Sequence, residues 1–444
     1  MQSYFSTMLL TKFRKKTEER TLLLTSRQQL TSLLCLAYFA TLLITPESYK
    51  YAAILLAVAG LGLFPMTWRQ LKTPPAMLIS GALLLYFIVT LFFAIPSEHY
   101  SQIDMPSRVL LAIIIFALLL QYPPSLTVVL YGCSIGASAV GLIALYQHYI
   151  LDIRALSTGG YMSVQVAGMA ASLSVFSILA YIYSCQHTLP TLKKIAFLGI
   201  TLGFTAPLLC GGRGSWVITP FVALWAVFYY RKHFQFRDYL AIATSVALII
   251  VTAVLPALNR GEAAISEFND YQEAKHTELI TEQENKQTPT VTSSTGIRLE
   301  LWKTALLLAT ENPITGTGYN KRLEEKQKLV EQGHADPVVT HMRRAHNQFF
   351  EELQVKGLVG FSTLIVLLAA PWLATRKPKI NANAEQQLAT VLLRCHLILI
   401  AGYMLTQHYI NAHSGILFFS LGVVIFVSMA LRGERLETRK ILGS

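Results

Sequence analysis

Charged side chains are scarce in this chain. Of its 444 residues only 14% are Asp, Glu, Lys or Arg, whereas 53% are hydrophobic. An average soluble domain carries about 25% charged residues. The deficit excludes a chain that faces mostly water, and apolar runs of about 20 residues recur from end to end. The sequence therefore predicts an all-α polytopic membrane protein rather than a soluble enzyme with one anchor.

Cysteine and aspartate are also rare, which limits the chemistry available. The five cysteines lie in or beside apolar segments, and their odd number and spacing exclude a disulfide framework. There are only five aspartates, and no paired-Asp motif, HExxH motif or Cys/His cluster is present. No Walker A or GxGxxG motif occurs either. We therefore expect no metal, no cofactor and no nucleotide.

The apolar runs predict about twelve membrane-spanning helices, separated by polar or proline-containing breaks. Each run is close to the length that a helix needs to cross a bilayer. The predicted spans are 29–45, 51–66, 75–95, 106–121, 124–150, 161–184, 192–211, 214–230, 238–256, 357–374, 388–410 and 414–431.

The distribution of Lys and Arg fixes the predicted orientation. With the N-terminus in the cytoplasm, the cytoplasmic segments hold 20 of the 37 Lys and Arg residues, and the opposite short loops hold few. The formal charge of +12 is therefore a topology signal, and we do not interpret it as nucleic-acid binding. The predicted organisation is a cytoplasmic tail (1–28), helices 1–9 (29–256), a large outer loop (257–355), helices 10–12 (356–431) and a second cytoplasmic tail (432–444).

The outer loop is too long to be a simple connection. It carries 11 Lys/Arg and 15 Asp/Glu, so anion binding must rely on individually placed cations. Within it we predict a polar helix, a flexible linker, an amphipathic helix, a turn, a charged and mobile helix that could act as a lid, and a helix with His346 at the top of its apolar face. These segments are 262–284, 285–296, 297–309, 312–319, 319–332 and 343–350.

Three residues could carry chemistry. Arg213 lies in a glycine-rich turn where a span begins on the outer side, and a helix N-terminus beside an arginine suits a phosphate. Arg298 shares a helix face with Trp302. A neutral histidine could be a general base, and on chemistry alone His334, His341 and His346 are equivalent.

The order of these features resembles the O-antigen ligase family within the wider O-antigen ligase/polymerase superfamily. The motifs are Arg213-Gly214-Ser215 at a span boundary, Gly296-Ile297-Arg298-Leu299 with Leu301-Trp302, Asn312-Pro313-Ile314-Thr315-Gly316-Thr317-Gly318, His346-Asn347-Gln348 and Gly357-Leu358-Val359-Gly360. The resemblance covers roughly 205–370, and the twelve-span layout extends it to the whole chain. It implies a GT-C-like glycosyltransferase architecture with a large helical periplasmic loop, in a Gram-negative inner membrane.

The resemblance implies a metal-independent, inverting transfer of O-antigen from undecaprenyl diphosphate to the lipid A–core oligosaccharide. His346 would be the catalytic base, and Arg213 and Arg298 would bind the donor diphosphate. Ser215, Trp302, Arg344 and Asn347 are expected to support the site. The partners would be the lipid-linked donor, the lipid A–core acceptor and membrane lipids.

Three alternatives stay open at this point. An O-antigen polymerase and an O-linked oligosaccharyltransferase share the donor and differ in the acceptor, which the sequence does not specify. A transporter or flippase belongs to another class, and it would be expected to carry ionisable residues in mid-bilayer and broken helices.

Overall fold

The computed structural model describes residues 26–96, 100–157, 160–254, 291, 293–376 and 383–432, with the isolated positions 258, 266, 268 and 269. All regular secondary structure in these residues is helical. The predicted tails over 1–25 and 433–444 lie outside the described residues. The polar helix over 262–284 and most of the linker after it lie almost wholly outside them.

Fifteen helices, labelled in chain order, occupy the described residues. They are α1 (26–41), α2 (Tyr51–Thr67), α3 (Pro74–Ala94), α4 (Ser101–Gln121), α5 (Leu126–Tyr149), α6 (Ser163–His187), α7 (Pro190–Gly203), α8 (Thr205–Leu209), α9 (Arg213–Tyr229), α10 (Phe236–Ile249), α11 (Ser294–Glu311), α12 (Gly318–Glu331), α13 (Gln348–Ala374), α14 (Ala384–Met404) and α15 (His413–Ala430).

Ten helical stretches of the described chain are long and apolar enough to cross a membrane, and they coincide with ten of the twelve predicted spans. The other two predicted spans fall on α1 and α9. With 17 residues, α9 lies at the lower end of the spanning range of about 17–25 residues. The chain is therefore an all-helical, multi-pass membrane protein.

Two helices form the centre of the bundle. Side chains of α6 and α15 are almost completely buried, whereas those of α10 are largely exposed at the periphery. Aromatic side chains fill the space between the central helices: Phe176 of α6 and Phe426 of α15 meet edge to face with ring centroids 5.2 Å apart.

The chain between α10 and α13 carries a small core of its own. Apolar residues of α11 and α12 pack together with the 3₁₀ turn Pro337–His341. As the sequence predicts, Leu301 and Leu308 of α11 lie in this core and Ile297 packs against it. The predicted linker ends earlier than expected, because Ser293 caps α11 by accepting a hydrogen bond from the Gly296 N–H.

Helix α13 is broken at Gly357. This residue has φ 58° and ψ −152°, a conformation that is essentially restricted to glycine. A Cβ at this position would overlap the carbonyl group of Ile314, so the chain of the predicted turn passes directly against the break.

The turn over 312–319 caps both halves of the broken helix. Thr317 donates twice to the Gln354 carbonyl at the end of the first half, from its N–H at 2.8 Å and its Oγ1 at 2.7 Å. The Leu358 N–H at the start of the second half donates to the Pro313 carbonyl at 2.8 Å. The turn thus satisfies backbone groups that the break exposes, and it fixes the α11–α12 unit to the bundle.

Candidate functional site

His346 lies in a non-helical segment just before α13. The expectation that it shares an apolar helix face with Phe349 is wrong, because α13 begins two residues later and Asn347 is its N-cap. Asn347 Oδ1 accepts hydrogen bonds from the N–H groups of Phe349 and Phe350, at 2.9 Å and 3.2 Å, and this cap fixes the start of the helix. His346 itself has φ 51°, in the left-handed region that side-chain-bearing residues rarely adopt.

The residues on either side of this histidine are held by buried polar groups. On one side the Ala345 N–H donates to Oε2 of buried Glu351 at 2.8 Å. The other carboxylate oxygen of Glu351 pairs with Nη1 of buried Arg322 at 2.7 Å. On the other side Asn347 Nδ2 donates to the Leu405 carbonyl at 2.9 Å. A strained backbone persists only where its surroundings determine it in this way.

Helix α12 contributes a second clamp on the same segment. Lys326 is fully buried and donates to the Met342 carbonyl at 2.7 Å. Burial lowers the pKa of the Lys326 ammonium to about 8. The charged helix was expected to be exposed and mobile. This is wrong for one face, since Arg322 and Lys326 lie one turn apart and both are buried.

The turn over 405–408, which follows α14, supplies the remaining wall. The rings of His346 and His408 meet edge to face with centroids 5.4 Å apart, and the Gln407 side chain is within hydrogen-bonding reach of His346. His408 is buried, and burial together with the charge of Arg344 lowers its pKa to about 3. Arg344 is anchored at this wall, because its Nη1 donates to the Asn411 carbonyl at 2.9 Å.

The environment keeps the imidazole of His346 neutral. Burial lowers its pKa most, the charge of Arg298 lowers it further, and that of Arg344 lowers it least. The hydrogen bond that the imidazole donates to the Gln407 side chain and the charge of Glu351 act in the opposite direction but do not prevail. A neutral imidazole can accept a proton at physiological pH. Arg298, which the sequence predicts in the site, therefore lies close enough to His346 to act on it.

Arg213 begins α9 in a tight glycine turn. Gly211 has φ 67° and Gly212 is the helix N-cap, and the N–H groups of Arg213 and Ser215 donate to the Gly211 and Gly212 carbonyls at 3.0 Å and 2.9 Å. A Cβ at Gly214 would overlap the Thr406 hydroxyl, so this turn packs directly on the 405–408 turn. One turn of chain thus contacts both the beginning of α9 and His346, and it brings two of the predicted site elements together.

The supporting residues have defined positions. Ser215 is buried and its Oγ donates to the Gly212 carbonyl at 2.8 Å, so it closes the turn instead of facing open space. Trp302 of α11 packs against Phe350 of α13 with ring centroids 5.9 Å apart, which links the helix of Arg298 to the bundle.

Several polar residues around the site were not predicted. Gln407 and His408 are adjacent polar residues near the end of the predicted span 388–410, and this polar pair was the only sign in the sequence that they belong to the site. Glu351 and Arg322 gave no clue, because charges on an outer loop are usually solvated. Arg154 donates from Nε to the Cys210 carbonyl at 2.7 Å and so adds an exposed cation beside the α9 turn.

The other two candidate histidines lie elsewhere on the surface. His334 and His341 are exposed, and neither is among the groups that act on the pKa of His346.

Comparison with known proteins matches the part of the chain that contains the three predicted site residues. Residues 195–365 match the family model described as O-antigen ligase, a stretch that includes Arg213, Arg298, His346 and Gly357. The chain is also 28% identical over 405 residues, covering 89% of this chain and 97% of the relative, to an uncharacterized protein of Haemophilus influenzae. Through this matched segment the chain is similar to the O-antigen ligase family.

Proposed function

We propose that this protein is an O-antigen ligase that transfers O-antigen from undecaprenyl diphosphate to the lipid A–core oligosaccharide at the periplasmic face of the inner membrane. The observation that carries the proposal is the 405–408 turn. It packs on the start of α9 through Thr406 and against His346 through Gln407 and His408, within a chain that matches the family model.

His346 is the proposed base. The acceptor hydroxyl loses its proton to the imidazole as its oxygen attacks the anomeric carbon, and general base catalysis of this kind contributes about 10²–10⁴-fold. The lowered pKa of His346 supports this role, since the ring is unprotonated and able to accept at neutral pH. The attack lies opposite the leaving group and inverts the anomeric centre.

Arg213 and Arg298 are the proposed donor-binding cations. The bond that breaks joins the anomeric carbon to the diphosphate, and its electron pair leaves on a phosphate oxygen. Cations placed at this oxygen stabilise the charge that grows there. The positive end of the α9 dipole, beside Arg213, favours the same phosphate. The donor carries its own activation, so the reaction needs neither metal nor nucleotide.

The first test replaces the base. We expect His346→Ala to abolish transfer in proteoliposomes that contain lipid-linked donor and lipid A–core acceptor, while the folded yield is unchanged. His341→Ala and His334→Ala are the matched controls, because both histidines are exposed on the same segment, and both variants should retain activity. Full transfer by His346→Ala would remove the proposed base.

The second test identifies the acceptor. One lipid-linked donor is supplied with three acceptors in parallel: lipid A–core, a lipid-linked repeat unit and a pilin-like protein. Extension of lipid A–core alone is the expected result. Extension of the repeat unit would make the protein a polymerase, and extension of the protein acceptor would make it an O-linked oligosaccharyltransferase. Movement of the donor across the bilayer without transfer would favour a flippase.

A further inference from the structure

Glu351 is a buried carboxylate in the first turn of α13 that the mechanism above does not use. It accepts hydrogen bonds from the Ala345 N–H at 2.8 Å and from Gln354 Nε2 at 2.7 Å, and it pairs with Arg322 at 2.7 Å. Glu351 thus contacts Ala345, the residue before His346, and Arg322 of α12, the helix that holds this segment.

We propose that Glu351 is the positioning carboxylate of the base: it fixes the backbone that aims the His346 imidazole, and its charge stabilises the imidazolium formed during transfer. The inference rests on the proposed function, because it assigns Glu351 a role in the proton transfer to His346. Glu351 touches neither substrate nor the reacting atoms, so it acts through the histidine.

The first part of this role is geometric. His346 has φ 51°, and the hydrogen bond at Ala345 fixes the peptide that leads into this strained residue. Losing that hydrogen bond would release the backbone towards ordinary conformations, in which the ring points elsewhere. A base that is not held in position loses the advantage of a prearranged geometry.

The second part is electrostatic. When the acceptor O–H bond breaks and the N–H bond forms on His346, a positive charge appears on the imidazole. The groups that act on this ring are Arg298 from α11, Arg344 from its own segment, Gln407 from the 405–408 turn and Glu351 from α13. His408 packs against it and remains neutral, with a pKa of about 3. Glu351 is the only anion among these groups, and with Gln407 it opposes the two arginines.

The next residue along the chain provides a matched control. Glu352 is equally buried, pairs with Lys356 at 2.5 Å and accepts from Gln348 Nε2 at 2.8 Å. It is not among the groups that act on His346. Glu352→Gln therefore removes the same charge and unpairs a buried cation in the same turn, without touching the segment of the base.

The experiment measures the titration of His346 directly as well as the rate of transfer. Diethyl pyrocarbonate modification of the His346 peptide is followed by mass spectrometry between pH 4 and 8, and kcat is measured over the same range. In Glu351→Gln the amide oxygen can still accept from Ala345 but the charge is gone. We expect both the modification midpoint and the acidic limb of kcat to move down by at least ~0.5 pH unit.

Glu351→Asp separates the two roles. The charge remains, so the midpoint should stay within ~0.2 pH unit of the wild type, but the shorter side chain cannot hold Ala345, so kcat should fall about tenfold or more. Glu352→Gln should leave the midpoint unchanged. If Glu351→Gln unfolds, the neutral pair Arg322→Met with Glu351→Gln replaces it, and a smaller downward shift is expected, because Arg322 is not among the groups with the largest effects on the pKa of His346.

Two results would overturn the inference: an unmoved midpoint in Glu351→Gln, or an equal shift in Glu352→Gln. Neither result depends on the proposed function, since modification of His346 is measured without substrate. If His346→Ala retains full transfer, the proposed function fails even where the midpoint moves as expected.

Discussion

The break in α13 leads to the sharpest prediction about stability. Replacing Gly357 by alanine places a methyl group in a residue with φ 58° and ψ −152°. Any residue with a Cβ is strained there by roughly 1–3 kcal/mol. The new Cβ would also overlap the Ile314 carbonyl, which is backbone and cannot rotate away.

The 312–319 turn must therefore move, and the loss of stability depends on how many hydrogen bonds this movement breaks. Four hydrogen bonds join the 312–319 turn to the two halves of α13, two from Thr317 and one each from Leu358 and Val359. Each contributes about 0.5–1.5 kcal/mol. If half of them are lost, strain and lost hydrogen bonds together reach about 2–6 kcal/mol.

The assay is thermal unfolding in detergent at one fixed scan rate, because membrane proteins of this size commonly unfold irreversibly. We expect Gly357→Ala to lower Tm by ~2–6 °C, because the unfolding entropy of a chain of this length corresponds to roughly 1 kcal/mol per °C. Two other glycines separate the contributions. At Gly318, φ is 75° with open space around it, so alanine there measures the backbone strain alone, at about 1 kcal/mol. Gly62 in α2 has neither feature, and Gly62→Ala should leave Tm unchanged or slightly higher. A Tm for Gly357→Ala equal to that of Gly318→Ala would refute the reasoning.

Four further outcomes follow from the site. Arg298→Gln removes a cation that lowers the pKa of His346, so the acidic limb of kcat should move to higher pH while KM for the donor rises. Asn347→Ala loses the α13 cap and the contact with Leu405, and should lower stability by ~1–2 kcal/mol, whereas Asn347→Asp keeps the cap. The pKa of Lys326 is about 8 in the folded protein and 10.5 ordinarily, so between these pH values the unfolded chain binds the extra proton. The free energy of unfolding therefore rises with pH in this window, by at most about 3 kcal/mol. Lys326→Met should flatten this rise in unfolding scans across pH. EDTA should leave transfer unchanged, and inhibition reversed by a divalent ion would contradict the metal-free mechanism.

The membrane-spanning part could be predicted from the sequence because its physics is one-dimensional. The length of an apolar run decides whether a helix can cross a bilayer, and ten of the predicted spans match helices of sufficient length and hydropathy. The short α9 was also predicted, since its glycine turn marks its start. Orientation relies on the distribution of Lys and Arg, and it remains a prediction.

The local structure around His346 could not be predicted in the same way. Apolar spacing from His346 to Leu353 fits a helix, but the same stretch contains Asn347, a strong N-cap residue, and the cap prevailed over the spacing. Buried charge was missed for another reason. The pairing of Arg322 with Glu351 joins two helices distant in the chain, and a single sequence carries no sign of such a contact.

Under the proposed mechanism the charges around His346 serve two opposed requirements. A diphosphate leaving group needs cations nearby, yet Arg298 and Arg344 make the imidazole a weaker base by lowering its pKa. Removing either cation would raise the pKa of the imidazole but weaken binding of the donor diphosphate. The buried carboxylate of Glu351 offsets the arginines at the base, and its own ion pair with Arg322 holds it in place. The acidic balance of the predicted outer loop is therefore compatible with a cationic donor site, because two of its buried carboxylates, Glu351 and Glu352, are already paired with Arg322 and Lys356.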